Sequence, residues 1–293
     1  MNRTILITGA TGQVSSALLA ELGRRPANVT VRALVRGEAQ AAKVRAAGAE
    51  PVLGDLDEPE SLPSAFEGVT DVWQLAPPGP RAPEYSMNIL WAARQAGTKR
   101  VVRMSAIGAA HDAPTRNGRL HILSDEELMA SGLRWTILRP HFFMQNLLGF
   151  ASGVAASGKF YFNLGSGKLG LVDARDIAAV ASAVLLDESG RHDGKIYTPT
   201  GPQSLTLAEM AGVLGRVLKR PVEYVPLPDE AARGGLLQAG LSPWLAGMTV
   251  EYGRAYAAGW GDFTTPHVRD VLGRDATSFE SFVRDQWPRT MAA

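Results

Sequence analysis

The sequence predicts an α/β fold, a doubly wound parallel sheet followed by a smaller C-terminal α+β lobe. Three observations favour this fold class. Short apolar runs rich in β-formers alternate with helical patterns through the first half of the chain, as in parallel βαβ units. A glycine-rich loop joins the first apolar run to the first helical pattern. The alternation ends after Pro140, where shorter strand and helix patterns take over.

The predicted elements follow one another in the order that a doubly wound sheet needs. We predict six parallel strands, at residues 3–9, 29–36, 50–55, 71–77, 100–106 and 134–140. We predict the intervening helices at residues 12–25, 41–49, 59–68, 84–97 and 120–132. Later in the chain we predict a helix over 141–158, a helix over 174–188 that returns to the main sheet, and a strand at 195–201 in the lobe. The nucleotide-binding domain is thus predicted at 1–145 plus about 171–190, and the substrate-binding lobe at about 146–170 and 191–293.

Composition excludes several classes of function. A net charge of +1 argues against nucleic acid or an anionic membrane as a partner, because both need a basic surface. The lack of cysteine excludes disulfides and thiolate metal sites, and no histidine pair has metal-site spacing. The N-terminus shows no leader pattern, and no apolar run approaches about 20 residues, so we expect a cytoplasmic protein. We interpret the scattered arginines as compositional bias.

The loop at residues 9–15 predicts a dinucleotide site. Gly9 permits a tight turn after the first strand, and Gly12 lets the backbone approach a pyrophosphate held at the helix N-terminus. Ser15 stands where a third glycine is expected, a position that governs helix-to-strand packing and tolerates a small residue. The same glycines in a purely structural turn are the alternative.

Arg36 ends the second predicted strand, where an acidic residue would bind the ribose hydroxyls of NAD. A guanidinium at this place suits the 2′-phosphate of NADP, so we predict NADP(H) as the cofactor. Arg36 could instead be a solvated surface residue, and Glu38 could reach the ribose.

Other strand ends supply further candidates for the cofactor site. Asp55 with Leu56 could meet the adenine, although Asp55 could instead cap the next helix. Ala76 and Pro77 form a small apolar ledge after the fourth strand. Ser105 follows the fifth strand, next to the expected nicotinamide, because ligands bind at the carboxyl ends of the strands.

Short-chain dehydrogenases usually carry Tyr-x-x-x-Lys on the helix after the fifth strand, and no tyrosine here has a lysine four residues later. His121 opens that helix and is the candidate catalytic residue, because an ordinary histidine pKa near neutrality suits a general acid. It could equally orient the cofactor or substrate, or only pack and cap the helix locally.

These motifs, in this order, resemble the NmrA-like branch of the atypical short-chain dehydrogenases, with "TGATGQ", "ALVRG", "GDLDEPESLPSAFEGV" and "VDARDIAAVA" carrying the likeness up to about Pro226. The sequence is most similar to NADPH-dependent quinone reductases and triphenylmethane dye reductases. The resemblance implies a Rossmann domain with NADP(H) and a lobe that encloses an aromatic or quinonoid acceptor. It places the cofactor at Gly9, Thr11, Gly12, Gln13, Val14, Arg36, Asp55, Leu56, Ala76, Pro77, Ser105 and Pro140.

The expected activity is direct hydride transfer from NADPH to a small conjugated acceptor: a quinone, a dye, an iminium or an activated alkene. Such acceptors need little proton donation, which fits the missing tyrosine. His141, Phe142 and Phe143 are candidates for the acceptor pocket, although aromatic residues at helical spacing often belong to a core. A non-catalytic NADP(H)-sensing regulator and an epimerase or dehydratase are the alternatives. The helices after the fourth and fifth strands could pair two subunits as a homodimer.

Overall fold

Contacts within the chain divide it into two compact units, called unit 1 and unit 2 below. The computed structural model describes residues 2–292, apart from the side chains of residues 289, 291 and 292. Unit 1 comprises Met1–His111, Gly118–Arg139 and Ile177–Tyr197, and unit 2 comprises Asp112–Asn117, Pro140–Asp176 and Thr198–Ala293. Residues 140–145, which the sequence assigned to the nucleotide domain, therefore belong to unit 2.

Unit 1 is built on a seven-stranded parallel sheet. Its strands are β1 (Arg3–Ile7), β2 (Val29–Val35), β3 (Glu50–Leu53), β4 (Asp71–Gln74), β5 (Arg100–Met104), β6 (Arg134–Leu138) and β9 (Lys195–Tyr197). They lie in the order β3-β2-β1-β4-β5-β6-β9, so the chain reverses its direction of winding between β1 and β4. The carboxyl ends of β1 and β4 therefore meet at the topological switch point, where doubly wound sheets bind ligands.

The helices of unit 1 bury one face against this sheet. They are α1 (Gln13–Leu22), α2 (Glu38–Ala46), a 3-10 helix (Pro59–Ser61), α3 (Leu62–Phe66), α4 (Ala82–Gln95), α5 (Arg116–Ala130) and α7 (Ala174–Leu186), the last two beginning with residues of unit 2. Leu6, Val72, Val101 and Ile137 from four adjacent strands are fully buried in one apolar cluster with Phe66. The predicted fold class is confirmed by this layered α/β architecture.

The sequence analysis predicted the strand at residues 195–201 but placed it in the lobe, whereas it is the seventh strand of the main sheet. Lys195 pairs with Thr136, and Tyr197 pairs with Leu138, both in parallel register. The Thr136 hydroxyl donates to the His192 carbonyl at 2.7 Å, which fixes the approach to the strand. The placement was wrong because β9 is a short edge strand whose residues are partly exposed, so its sequence does not indicate which sheet it joins.

Unit 2 contains two small sheets and a set of helices. Its elements are a 3-10 helix (Met144–Phe150), α6 (Ala151–Ser157), β7 (Lys159–Phe162), β8 (Lys168–Leu169), β10 (Leu205–Thr206), α8 (Leu207–Leu218), β11 (Glu223–Pro226), α9 (Asp229–Gln238), α10 (Pro243–Ala257), α11 (His267–Leu272) and α12 (Phe279–Ala292). Strand β8 pairs antiparallel with β10, and β7 pairs parallel with β11. Phe160, Tyr256, Phe282 and Trp287 are buried in its core.

Residues 141–143 are extended, although the sequence predicted one helix over 141–158. The Val172 amide donates to the Phe142 carbonyl, and the Met144 amide donates to the Val172 carbonyl, which forms a short parallel bridge. These tertiary hydrogen bonds override the local helical pattern until Met144.

Within residues 2–292, none of the helices combines the length and the apolar character that crossing a membrane requires.

Candidate cofactor and acceptor site

The carboxyl edge of the unit 1 sheet brings together most of the predicted cofactor residues. Each candidate follows a different strand: Gly9 follows β1, Arg36 follows β2, Asp55 follows β3, Ala76 follows β4 and Ser105 follows β5. Parallel strands place all of these positions along one edge. Dinucleotides bind at this edge in doubly wound sheets.

Gly9 and Gly12 shape a backbone cradle between β1 and α1. Gly9 adopts a φ of +61°, and a Cβ there would lie 3.1 Å from the Leu75 carbonyl oxygen, so a side chain would be strained. Gly12 precedes α1 without any side-chain cap, and the first turn of this helix carries no acidic residue. Its N-terminal amides are therefore available to an anion, as a pyrophosphate site requires. These features fit a bound dinucleotide.

Ser15 performs the packing role of a third glycine and adds hydrogen bonds. Its side chain is fully buried, its hydroxyl accepts from Trp73 Nε1 at 3.0 Å, and it donates to the Thr8 carbonyl at 3.3 Å. The Thr8 hydroxyl donates to the Leu75 carbonyl at 2.9 Å. Serine thus ties α1 to both strands of the switch point without crowding the loop.

Neighbouring residues of the loop differ in how they could meet a cofactor. Thr11 and Gln13 are exposed at the start of α1. The Val14 side chain is buried in the core, so only its backbone amide could face a phosphate.

Arg36 is the exposed cation at the end of β2. Its amide donates to Gln40 Oε1 at 2.8 Å, and among residues 2–292 its guanidinium has no side-chain partner. Glu38 is instead paired with Arg45 on the outer side of α2. A free guanidinium beside an already paired carboxylate favours recognition of a phosphate over recognition of ribose hydroxyls.

Asp55 organises the turn after β3. Its Oδ1 accepts from the Asp57 amide at 3.0 Å, and its own amide donates to the Ser61 hydroxyl at 2.8 Å. Asp55 therefore closes a turn and does not cap the next helix, because the N-cap residues of the two following helices are Glu58 and Ser61. Leu56 packs on the unit 1 core, whereas Ala76 is half-buried and Pro77 is exposed, as an apolar ledge requires.

A buried charge network lies at the carboxyl ends of β5 and β6. Asp125 of α5 is fully buried, and its Oδ1 accepts from Arg103 Nε at 2.7 Å. Its Oδ2 accepts from the Ser105 hydroxyl at 2.8 Å and from Arg139 Nε at 2.9 Å. We call Arg103, Ser105, His121, Asp125 and Arg139 the Asp125 network. One carboxylate therefore fixes two guanidinium groups and the hydroxyl predicted to face the nicotinamide.

His121 joins this network one helical turn before Asp125. Its Nδ1 lies 3.2 Å from Arg103 Nη2 and must accept, because a guanidinium only donates. Burial, with the nearby Arg103 and Arg139 charges, lowers the pKa of His121 to about 3. The expectation of an ordinary histidine pKa near neutrality is therefore wrong. The ring is a neutral imidazole with its proton on Nε2, a hydrogen-bond donor and not a cationic acid.

The sequence analysis missed Arg103, Asp125 and Arg139. Two signals could have found Arg103 and Asp125: arginine among the apolar residues of β5, and a carboxylate four residues after His121 on the same helix face. The interpretation of the arginines as compositional bias is wrong for Arg103, which is 2% exposed and bonded to Ser86 Oγ as well as Asp125.

His141 is embedded in unit 2. Its Nδ1 accepts from the Phe142 amide at 2.7 Å, and its Nε2 lies 3.0 Å from the Gly261 carbonyl. Its ring stacks on Tyr256 at 5.6 Å and meets the Phe263 ring edge-on. Burial lowers its pKa to about 4. Both ring nitrogens are used within the unit, and this geometry gives no support to a role in an acceptor pocket.

The neighbours of His141 differ in exposure. Pro140 is buried, Phe142 meets the Tyr256 ring edge-on at 6.1 Å, and Phe143 is half-buried beside Val172. Phe142 and Phe143 stay candidates for acceptor contact. Among the described side chains, no group of three histidine or carboxylate residues is placed to hold a metal ion.

Comparisons with known proteins identify the family of this chain. A family described as NAD(P)H-binding matches residues 9–188. An NAD(P)H azoreductase from Xenophilus azovorans is 38% identical over 284 residues, covering 96% of each chain. The NADPH complex of an Escherichia coli quinone oxidoreductase superposes with a TM-score of 0.86 at 27% identity, covering 95% of this chain and 98% of the other.

A Citrobacter triphenylmethane reductase with bound NADP(H) gives the same TM-score at 26% identity, covering 96% and 99% of the two chains. The resemblance seen in the sequence is confirmed by these matches. The chain belongs to the NAD(P)H-binding family, within the NmrA-like atypical short-chain dehydrogenases, and is an NAD(P)H-dependent reductase.

Proposed function

We propose that the enzyme uses NADPH in preference to NADH and transfers hydride directly to a small conjugated acceptor, such as a quinone. The observation that carries this proposal is the helix after β5: it has no Tyr-x-x-x-Lys, and its His121 accepts from Arg103 through Nδ1, as a neutral imidazole does. A site without a group that titrates as an acid near neutrality suits acceptors whose reduction needs little proton donation. The azoreductase, quinone and dye reductase relatives support the same reaction class.

Each part of the site has a task in this reaction. Gly9 and Gly12 let the backbone approach the pyrophosphate, and Arg36 pairs with the 2′-phosphate. NADPH supplies the hydride when it is bound. The Ser105 hydroxyl donates to Asp125, so its oxygen lone pairs are left to accept a hydrogen bond from the carboxamide of the nicotinamide. The neutral His121 Nε2–H donates to the acceptor.

Initial rates of cofactor oxidation test this function. We expect saturable oxidation of NADPH with quinones, and a weaker rate with NADH. Arg36→Ala should reduce the preference for NADPH about tenfold, because a hydrogen bond to a charged group is lost. Arg24→Ala is the matched control: Arg24 is exposed and lies two residues beyond the C-terminus of α1, so the preference should be unchanged.

Two results would contradict the proposal. Tight NADPH binding without oxidation by any acceptor would indicate a cofactor sensor, and turnover without net consumption of NADPH would indicate an epimerase or dehydratase. An unchanged preference for NADPH in Arg36→Ala would show that Arg36 does not select the cofactor.

The cytoplasmic location expected from the sequence stays a prediction.

We also propose that two copies pair through the outer face of α4 and α5. Met87, Trp91 and Leu123 are 51%, 42% and 47% exposed on these helices. The groove between the helices also contains Arg94 and Glu127, opposite charges that can meet across a two-fold axis. Sedimentation should give a dimer for the wild type and a monomer for Trp91→Glu, whereas a monomeric wild type would contradict the pairing.

A further inference from the structure

Two hydrogen-bond donors of the Asp125 network are unused within the fold. Arg139 donates its Nε to Asp125, but among residues 2–292 its terminal amino groups have no partner. His121 uses only Nδ1, so its Nε2–H is equally without a partner in the described chain. The Arg139 side chain is only 19% exposed. Both residues are partly exposed, so their open donors reach solvent and can bind a ligand.

The charges around these donors are unbalanced. Arg103 and Arg139 carry two positive charges against the single carboxylate of Asp125 in direct contact. Glu127 lies further along α5 in the outer groove beside Arg94; burial raises its pKa, and the Arg103 and Arg94 charges oppose that shift. An excess positive charge at low exposure favours a ligand group that is negative or becomes negative.

We propose that His121 and Arg139 form a donor pair that stabilises the negative charge gained by a neutral acceptor on reduction, so that the enzyme prefers neutral quinones to cationic dyes. This inference rests on the proposed hydride transfer. In this proposal Arg139 contacts the acceptor, and the charge of Arg139 explains why neutral acceptors are preferred.

The charge change on reduction separates the two acceptor classes. A quinone that takes up a hydride, with its two electrons and one proton, becomes a hydroquinone monoanion, and a proton from water completes the neutral hydroquinone. A cationic triarylmethane dye that takes up the same hydride becomes a neutral leuco compound. Relative to the free enzyme and free acceptor, a positive donor pair attracts the quinone transition state, which is gaining negative charge, but repels the dye transition state, which still carries part of its positive charge. The donors therefore raise kcat/KM for the quinone only.

The kinetic test compares a neutral naphthoquinone with crystal violet, both with NADPH. We expect Arg139→Gln to lower kcat/KM for the quinone about a hundredfold and to leave or raise the value for the dye. If Arg139→Gln does not fold, Arg139→Lys replaces it, because lysine keeps the positive charge beside Asp125. Its kcat/KM for the quinone should lie between the values of the wild type and Arg139→Gln. Arg134→Gln is the control, because Arg134 lies at the opposite end of β6 and pairs with Asp193.

A binding measurement supplies a readout that does not depend on turnover. 4-Nitrophenol reports its own ionisation by absorbance, and with NADP⁺ present we expect the bound phenol to ionise about one pH unit lower than the free phenol. This shift should disappear in Arg139→Gln. One pH unit corresponds to a tenfold preference for the phenolate.

The outcomes keep the two proposals apart. No NADPH oxidation with either acceptor would overturn the proposed function itself. Turnover in which Arg139→Gln lowers both rates equally, or a wild type that prefers the dye, would overturn the donor pair alone. An unshifted nitrophenol ionisation in the wild type would also overturn it.

Discussion

His121 and His141 contrast in what their surroundings leave available. His121 in unit 1 and His141 in unit 2 are both held neutral, with pKa values lowered to about 3 and about 4. At His121 the cause is burial together with two guanidinium groups, whereas at His141 it is burial alone, opposed by the Gly261 carbonyl. His121 keeps one ring nitrogen unpaired among the described residues, but His141 has none to spare.

The contrast shows that a perturbed histidine pKa does not by itself mark a reactive group. Functional sites concentrate such shifts, but a packed core produces them as well. The two sites differ in their hydrogen bonds. Backbone groups bond both ring nitrogens of His141 and aromatic rings pack on it, whereas donors of the Asp125 network have no partner among the described residues. The unused donors and the excess positive charge of the Asp125 network, supported by the lowered pKa of His121, therefore indicate a ligand site there and not at His141.

Removal of the carboxylate at the centre of the Asp125 network should have the largest effect. In Asp125→Asn, Arg103 stays buried without its counter-charge, so we expect the free energy of unfolding to fall by about 3–5 kcal/mol in urea titration. Glu38→Gln, which breaks the exposed pair with Arg45, is the control and should change it little. If Asp125→Asn lowered the free energy of unfolding as little as Glu38→Gln does, the Asp125 network would be solvated. Its excess positive charge would then be screened by water.

His141 should control stability and its dependence on pH. We expect His141→Gln to lower the free energy of unfolding by about 1–3 kcal/mol at pH 7, because two buried hydrogen bonds and a stacked ring are disturbed.

The sign of the pH effect follows from the lowered folded-state pKa. An unfolded histidine takes up its proton near pH 6.5 but folded His141 only near pH 4, so acidification stabilises the unfolded state. Between pH 6.5 and 5, His141 should reduce the wild-type free energy of unfolding by up to about 2 kcal/mol. The gap between wild type and His141→Gln should therefore narrow. The exposed His111→Gln is the comparison, and a gap that widens in acid would show that His141 is stabilised as a cation.

The cofactor half of the site could be predicted from sequence because its signals are local. Gly9, Gly12 and Arg36 each lie in a strand-turn-helix segment whose geometry a few adjacent residues determine. The Asp125 network could not be predicted in the same way, because it joins β5, α5 and the end of β6. The neutral state of His121 depends on guanidinium groups 18 residues away in either direction along the chain, and only the folded sheet brings them together.

The smallest effect is expected from His121→Gln, and it distinguishes a neutral donor from an acid. Glutamine can accept from Arg103 through Oε1 and donate through Nε2, as the neutral imidazole does. We expect quinone reduction within about threefold of wild type in His121→Gln and a loss of about a hundredfold in His121→Leu, which cannot donate. The wild-type rate should show no ionisation of His121 between pH 5 and 8, because its pKa lies near 3. Equal losses of quinone reduction in both variants, together with an ionisation in the wild-type pH–rate profile between pH 5 and 8, would show that His121 donates a proton. His121 would then not be a neutral ring like His141.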